Sequence, residues 1–215
     1  MFSKKISNFF DKYSSSFDEI YDDELVKKKP IKYYISKLFR KSMFTRFFYT
    51  IEKLKDKKYL TILDMGCGAG RYSHALAKIG KKVTGIDFSN EMIVLAEEIS
   101  KRNNMHNINF ECISAEEYVF LKPYDSVICL GFFDYIENPK YLIKKILNSG
   151  SKNIIASFPK KKHILSFQRK IRYKLRNCPI FFYDFEDINK LKDQLKITDL
   201  KIYDHGRDYI VEINQ

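Results

Sequence analysis

The residues with the clearest chemical potential are two aspartates and three glycines in the first half of the chain. Asp64 ends a short apolar run, and glycines follow it at positions 66, 68 and 70. Asp87 ends a second apolar run about twenty residues after the glycines. Glycine tolerates positive φ and lets a ligand approach the backbone, and amides at the start of the following helix face that ligand. The spacing predicts a loop that holds a nucleotide-like molecule.

The glycine spacing separates this loop from two other phosphate-binding loops. A dinucleotide-binding loop would require glycine at position 71, which is Arg71. A phosphate-cradling loop would end in Gly-Lys-Ser or Gly-Lys-Thr, and this ending is also missing. Asp64 would repel a pyrophosphate but can pair with an ammonium group. Asp87, at the end of a second predicted strand, can accept hydrogen bonds from both ribose hydroxyls of an adenosine.

The elements that must position these residues alternate between strands and helices. Strands are predicted at residues 60–63, 82–86, 108–112, 126–130, 153–157, 197–203 and 209–213. Ser89 and the pair Asn138-Pro139 are start signals of two of the intervening helices. This alternation predicts an α/β fold of the Rossmann-like, doubly wound type, with a mostly parallel seven-stranded sheet and an antiparallel edge strand.

Two amphipathic helices are predicted before the first strand, the second beginning at Pro30. They are expected to cap the ligand edge of the sheet, so residues 1–56 would form an N-terminal helical cap. Residues 57–215 would form the main domain, in one compact unit with the cap. The aromatic residues of the first helix, expected either as a lid or as a packing stripe, are Tyr13, Phe17 and Tyr21.

Three segments resemble the motifs of class I S-adenosylmethionine-dependent methyltransferases, in the order that this family shows. Residues 64–70 resemble its first motif, residues 85–89 its second, and residues 124–131 its fourth-strand motif. The resemblance implies S-adenosylmethionine as the cofactor and methyl transfer as the activity. The alternative is a doubly wound domain without a cofactor, and that alternative leaves the aspartates at the two strand ends unexplained.

The resemblance also implies roles for single residues. Asp64 would lie beside the amino group of the methionine portion, and Asp87 would hold the ribose diol. Phe88 or Met92 would lie along the adenine. In the segment that matches the third motif, a serine stands at position 114, where an acid is common in the family.

The third motif and the fourth strand complete the expected cofactor site. A backbone contact is expected from Ala115, with Glu116 as a further candidate. Leu130 would lie under the methionine portion, or else it serves core packing alone. The full expected set is Asp64, Gly66, Cys67, Gly68, Gly70, Asp87, Phe88, Met92, Ala115, Glu116 and Leu130.

Asp134 and Tyr135 follow the fourth strand, where the resembled family places groups that face the methyl acceptor. Asp134 would accept a proton from a hydroxyl or orient an amine, or else it stabilises a helix start. These two residues are the expected catalytic pair. His74 and His163 are lesser candidates for a base, and the alternative for His74 is a solvated surface imidazole.

The flanking segments resemble small bacterial methyltransferases related to the magnesium-protoporphyrin O-methyltransferases. Residues 9–11, 40–46, 131–136, 156–160 and 182–184 support this comparison. It favours methyl transfer to an oxygen of a small acceptor, either anionic or lipid-associated. Two alternatives stay open: an RNA or protein methyltransferase that uses a basic surface, and a non-catalytic protein that binds adenosylmethionine.

The net charge of +12 comes mostly from dispersed lysines, which usually form a solvated surface. The exception is a basic helix predicted around residues 163–176. It is either a solvated helix, a site that captures an anionic acceptor, or a surface that docks on an acidic membrane. Nucleic acid ranks lower as a partner, because no RNA-binding module is appended.

The four cysteines, at positions 67, 112, 129 and 178, include no close pair. Free thiols are therefore expected, with neither a disulfide framework nor a metal site. The sequence has no apolar run long enough to cross a bilayer and no signal-peptide core. A cytoplasmic location is therefore expected, and the oligomeric state is left open.

Overall fold

The computed structural model of the chain describes residues 41–161 and 178–215. Its helices are α1 (Lys41–Leu54), α2 (Arg71–Lys78), α3 (Asn90–Arg102), α4 (Pro139–Asn148) and α5 (Phe185–Leu195). Its strands are β1 (Thr61–Met65), β2 (Lys82–Asp87), β3 (Ile108–Cys112), β4 (Ser126–Cys129), β5 (Asn153–Pro159), β6 (Asp199–His205) and β7 (Asp208–Asn214). A short 3-10 turn, Phe133–Tyr135, follows β4.

Several predictions about the N-terminal cap and the basic segment lie outside the described residues. These concern the first N-terminal helix with its three aromatic residues, the early part of the second helix, the basic helix around 163–176, and His163. Helix α1 is the described part of the second predicted helix. Whether residues 1–56 form a cap stays a prediction.

The seven strands form one sheet in the order β3-β2-β1-β4-β5-β7-β6. Strands β1 to β5 pair in parallel, whereas β7 is antiparallel to both of its neighbours. The predicted Rossmann-like sheet is therefore confirmed, and its reversal falls on β7, which connects the edge strand β6 to the parallel strands. In such a sheet, the carboxyl ends of the parallel strands meet at one edge, where ligands bind.

Helices cover both faces of the sheet, as is usual for parallel strands. Successive residues of a strand point to opposite faces, so neighbouring residues of β1 contact different helices. Ile62 belongs to an apolar cluster with residues of α1 and α2, whereas Leu63 belongs to the cluster formed with α4 and α5. Helix α3 packs on β3 through a smaller cluster that includes Ala96 and Phe110. Burial of these clusters is the main force that holds the helices to the sheet.

The predicted helix start signals are confirmed. Ser89 Oγ accepts a hydrogen bond from Met92 N at 3.3 Å and begins α3. Asn138 Oδ1 accepts from Tyr141 N, and Pro139 occupies the first turn of α4. All four cysteines are free thiols. Among the described residues, no helix is both long enough and apolar enough to span a membrane.

Helix α1 is tied to β7 by a buried carboxylate that the sequence interpretation did not single out. Glu212 is only 1% exposed. It accepts a hydrogen bond from Tyr49 Oη at 3.2 Å and pairs with Lys53 Nζ at 2.9 Å. Asn153 Nδ2 lies 3.5 Å from Glu212 Oε1, the oxygen that pairs with Lys53. Such a residue is costly to bury unless its partners stay in place.

Replacing Glu212 with alanine is expected to lower the free energy of unfolding by about 2 kcal/mol, because the tyrosine and amide partners lose their acceptor and Lys53 loses its counterion. Urea unfolding measures this change. The matched control is Glu52→Ala, which removes an exposed pair with Lys55 and should change the free energy by about 0.5 kcal/mol or less. Equal losses in the two variants would contradict the structural role of Glu212.

Candidate functional site

The two aspartates singled out from the sequence lie next to each other in the fold. Asp64 is near the carboxyl end of β1 and pairs in register with Gly85 of β2, whose last residue is Asp87. Both side chains are buried, and the charge of Asp87 contributes to raising the pKa of Asp64. The fold thus brings both carboxylates to the edge of the sheet where ligands bind in this type of architecture.

Asp64 is held by a residue that the sequence interpretation did not identify. Ser73, in the first turns of α2, donates its hydroxyl to Asp64 Oδ2 at 2.6 Å. Burial raises the pKa of Asp64 to about 7, the Ser73 hydrogen bond opposes this rise, and the charge of Asp87 adds to it. A cation placed beside this carboxyl would favour its ionised form. The only feature of the sequence that could have indicated this role of Ser73 is its position, three residues after Gly70.

Asp87 organises the glycine loop. Its Oδ2 accepts a hydrogen bond from Gly68 N at 2.9 Å, and its Oδ1 accepts from Ser89 N at 3.0 Å. The carboxylate therefore joins the loop to the start of α3. These two amide bonds fix the orientation of the carboxylate at the edge of the sheet where ligands bind.

The glycines of the loop serve different purposes. Gly66 (φ +74°) stands against the ring of Phe132, so that a Cβ atom there would overlap Phe132 Cδ2. Gly68 (φ +53°) has no atom within 4 Å of its Cβ position. Close approach of a ligand is thus possible at Gly68, beside Asp87, whereas Gly66 is required by packing against a buried ring.

Cys67 lies inside this loop as a packing residue. It is buried, and its Sγ is close to the Cβ position of Gly85, at 3.1 Å. Burial raises the pKa of its thiol well above the ordinary value. The side chain is therefore neutral and fills the space under the loop; the expected cofactor contact at this position concerns the backbone alone.

The interpretation of His74 as a surface imidazole was wrong. The residue is 8% exposed, and its Nε2 lies 3.0 Å from Ala96 O and 2.9 Å from Ser100 Oγ of α3. Its ring also lies 5.5 Å, between centroids, from that of Phe110. Burial lowers the pKa of the imidazole. His74 is therefore a neutral packing residue between α2 and α3, next to the glycine loop.

The residues expected around the adenine differ in their exposure. Phe88 is half-buried, whereas Met92 is buried in the first turn of α3. The carbonyl groups of Ala115 and Glu116 accept hydrogen bonds from Lys145 Nζ at 3.2 and 2.6 Å. Lys145 was not identified from the sequence, because only the fold brings α4 next to this loop.

Leu130 and the expected catalytic pair follow β4. Leu130 is buried in the cluster shared with α1 and α2, which fits the core-packing alternative. Asp134 is 2% exposed, and its charge contributes to raising the pKa values of Arg46 and Tyr183. Asp134 thus lies among ionisable groups inside the protein, while Tyr135 is half-buried.

A buried arginine of α1 lies on the same side of the site. Arg46 Nε donates to Tyr72 Oη at 3.2 Å, and its Nη1 donates to Ser157 Oγ at 3.0 Å. Nη1 also lies 3.5 Å from Asp208 Oδ2. Burial opposes the charged form, but Tyr72, Asp208 and Asp134 together raise the pKa of the guanidinium above its ordinary value. Arg46 is therefore a permanent buried cation.

Residues 56–200 match the sequence model of a protein family described as "Methyltransferase domain". The chain is also similar to two ubiquinone biosynthesis O-methyltransferases. The match to the protein of Hydrogenovibrio crunogenus has 33% identity over 95 residues, which are 43% of this chain and 39% of that protein. The match to the protein of Rickettsia typhi has 37% identity over 112 residues, 50% of this chain and 45% of that protein. Each match spans less than half of the relative's length.

Among solved structures, the fold is similar to that of magnesium protoporphyrin IX methyltransferase from Synechocystis PCC 6803 with bound SAH. The TM-score is 0.77, and the match covers 100% of both chains at 22% sequence identity. A likeness at this identity shows a shared fold.

Proposed function

The chain belongs to the methyltransferase-domain family, and from this premise we propose that it transfers the methyl group of S-adenosylmethionine to an oxygen of a small, anionic or lipid-associated acceptor. The observation that carries the proposal is the pair of neighbouring carboxylates, Asp64 and Asp87, beside a glycine loop that is open at Gly68. A carboxylate pair of this kind suits a ligand that has both an ammonium group and a ribose diol.

The residues present fit this cofactor. Asp64 would pair with the ammonium group of the methionine portion, and this pairing would favour the ionised carboxyl. Asp87 would accept the ribose hydroxyls, and the open backbone at Gly68 would allow close approach. S-adenosylmethionine supplies an activated methyl group, so the protein must orient the two reactants and exclude water.

The nature of the acceptor is inferred from the sequence relatives and from the charge of the chain. The sequence relatives are O-methyltransferases by name, which supports oxygen as the methylated atom. The concentration of basic residues without acidic ones at positions 163–176 of the sequence favours an anionic acceptor. Tyr135 and Asp134 stay the proposed acceptor-facing pair after β4, with the half-buried Tyr135 better placed for direct contact.

Methyl transfer from tritiated S-adenosylmethionine into fractionated cell extract tests the proposal. Label in the small-molecule or lipid fraction would support it, whereas label in RNA or protein would replace it with the corresponding macromolecular methyltransferase. An absence of label, together with retained binding of S-adenosylhomocysteine, would favour a non-catalytic binding protein. The Asp87→Ala variant is the negative control, because the proposal predicts that it transfers little tritium to any fraction.

The affinity for S-adenosylhomocysteine is expected to fall as the pH drops below about 7, the pKa of Asp64 in the free protein. Below this pKa the carboxyl is neutral, so binding an ammonium beside it must release a proton; above it, no proton is released. The affinity should therefore change by up to about tenfold per pH unit on the acidic side and level off on the basic side.

Calorimetry between about pH 5.5 and about pH 8, in buffers of different ionisation enthalpy, measures both the affinity and the protons released. The control is Asp64→Asn, which keeps the size of the side chain but cannot ionise. This variant should bind more weakly and show little pH dependence. The same pH dependence in both proteins would exclude Asp64 as the group that meets the ammonium.

A further inference from the structure

We propose that Arg46 is a positioning residue of the cofactor site, which holds the segment after β4 against the glycine loop by way of Ser157. This role rests on the proposed function, since it concerns the site for S-adenosylmethionine. Arg46 lies on α1, before the residues 56–200 that match the family. It would not touch the cofactor, and it would act through the backbone of Gly131 and the ring of Phe132.

The first link in this chain of contacts is the hydroxyl of Ser157, near the end of β5. This fully buried oxygen accepts hydrogen bonds from two donors, Gly131 N at 2.7 Å and Arg46 Nη1 at 3.0 Å. A hydroxyl has two acceptor lone pairs, so these two donors use its full capacity. The guanidinium thus helps to fix the oxygen that in turn fixes the Gly131 amide.

The second link joins this segment to the glycine loop. Phe132 follows Gly131 directly, and its ring fills the space next to Gly66. Arg46 also packs against Gly131: its Nη2 lies only 3.2 Å from the point that a Cβ atom would occupy if residue 131 had a side chain. Movement of Arg46 would therefore shift Gly131 and Phe132. Phe132 supports the loop that contains Gly68, whose amide donates to Asp87.

Direct capture of an anionic acceptor by Arg46 is disfavoured by its surroundings. Asp208 lies 3.5 Å away, and the charge of Asp134 also acts on the guanidinium. Two carboxylates around one cation give the cluster a negative balance, which repels an anion. The Tyr72 hydroxyl takes the remaining Nε–H. A cation enclosed in this way suits the support of neighbouring groups better than the binding of a charged substrate.

The variants that test this role are Arg46→Met, Ser157→Ala and the double variant, with Arg102→Met as the control. Arg102 is exposed and pairs only with Glu98 among the contacts that the structure gives it. We expect each single variant to bind S-adenosylhomocysteine about tenfold more weakly and the double variant to bind no more weakly than Arg46→Met, because both changes break the same link. Arg46→Lys should restore part of the affinity, and Arg102→Met should bind normally.

Amide hydrogen exchange provides a readout that does not depend on the ligand. In Arg46→Met, exchange at Gly131 should accelerate at least about tenfold relative to amides of β1, because its acceptor is no longer fixed. A uniform acceleration across the sheet, or unchanged exchange at Gly131, would overturn the proposal, as would additive losses of affinity in the double variant. If the wild-type protein fails to bind S-adenosylhomocysteine, the proposed function fails, while the exchange experiment still decides the role of Arg46.

Discussion

Replacing Asp87 with alanine is expected to weaken the binding of S-adenosylhomocysteine by about 100-fold. The carboxylate would accept the ribose hydroxyls, and it already accepts the amides of Gly68 and Ser89. Alanine removes all of these contacts together, so the ligand loses its partner and the loop loses the group that shapes it. Calorimetry at about pH 8, where the expected effect of Asp64 ionisation is small, measures the change.

Two further variants separate the ligand contact from a general loss of structure. Asp87→Asn keeps one oxygen acceptor of the same size and should weaken binding by about tenfold, because the charge is lost. Glu98→Ala removes an exposed carboxylate of α3 and should bind normally. If Asp87→Ala melts as the wild-type protein does and binds S-adenosylhomocysteine equally well, Asp87 does not belong to the site.

Replacing Gly66 with alanine is expected to lower the free energy of unfolding by about 2–4 kcal/mol. The backbone at this residue has φ +74°, which a side chain disfavours, and the new methyl group would overlap Phe132 Cδ2. Phe132 cannot move freely, because its ring is buried and packs edge-to-face on Phe133 with centroids 5.3 Å apart. Urea unfolding of the free protein measures the loss.

Gly68→Ala is the matched control, since this residue has a similar φ of +53° but no atom within 4 Å of its Cβ position. It should cost only the backbone strain, about 1 kcal/mol. In the Phe132→Ala background, the additional cost of Gly66→Ala should shrink towards that of Gly68→Ala, because the overlap is gone. Equal losses for Gly66→Ala and Gly68→Ala in the wild-type background would show that Phe132 does not restrict Gly66.

The sequence predicted the sheet and both aspartates because their signals are local. Short apolar runs that end in Asp64 and Asp87 identify two strand ends, and parallel strands place such ends at one edge. The three glycines between these aspartates predicted the loop that follows β1. The helix start at Ser89 was equally readable, because capping depends on residues a few positions apart.

The remaining features depend on contacts between distant segments. Ser73 reaches Asp64, and Lys145 reaches the carbonyl of Ala115, only after α2 and α4 have packed on the sheet. His74 lies off the apolar stripe of its helix, and the pattern does not show that α3 covers it. For Gly66, a local pattern explains a turn but cannot show the ring of Phe132 behind it.

The reversed strand β7 constrains when the protein can finish folding. Within the described part of the chain, edge strand β6 pairs with β7 alone. It can therefore join the sheet only after the later segment, Asp208–Asn214, has been made by the ribosome and inserted beside β5. Asn153 and Glu212, whose side chains meet there, are 59 positions apart. Closing so long a loop is slow relative to forming hairpins, and until it closes the growing chain exposes the open side of β5 to aggregation.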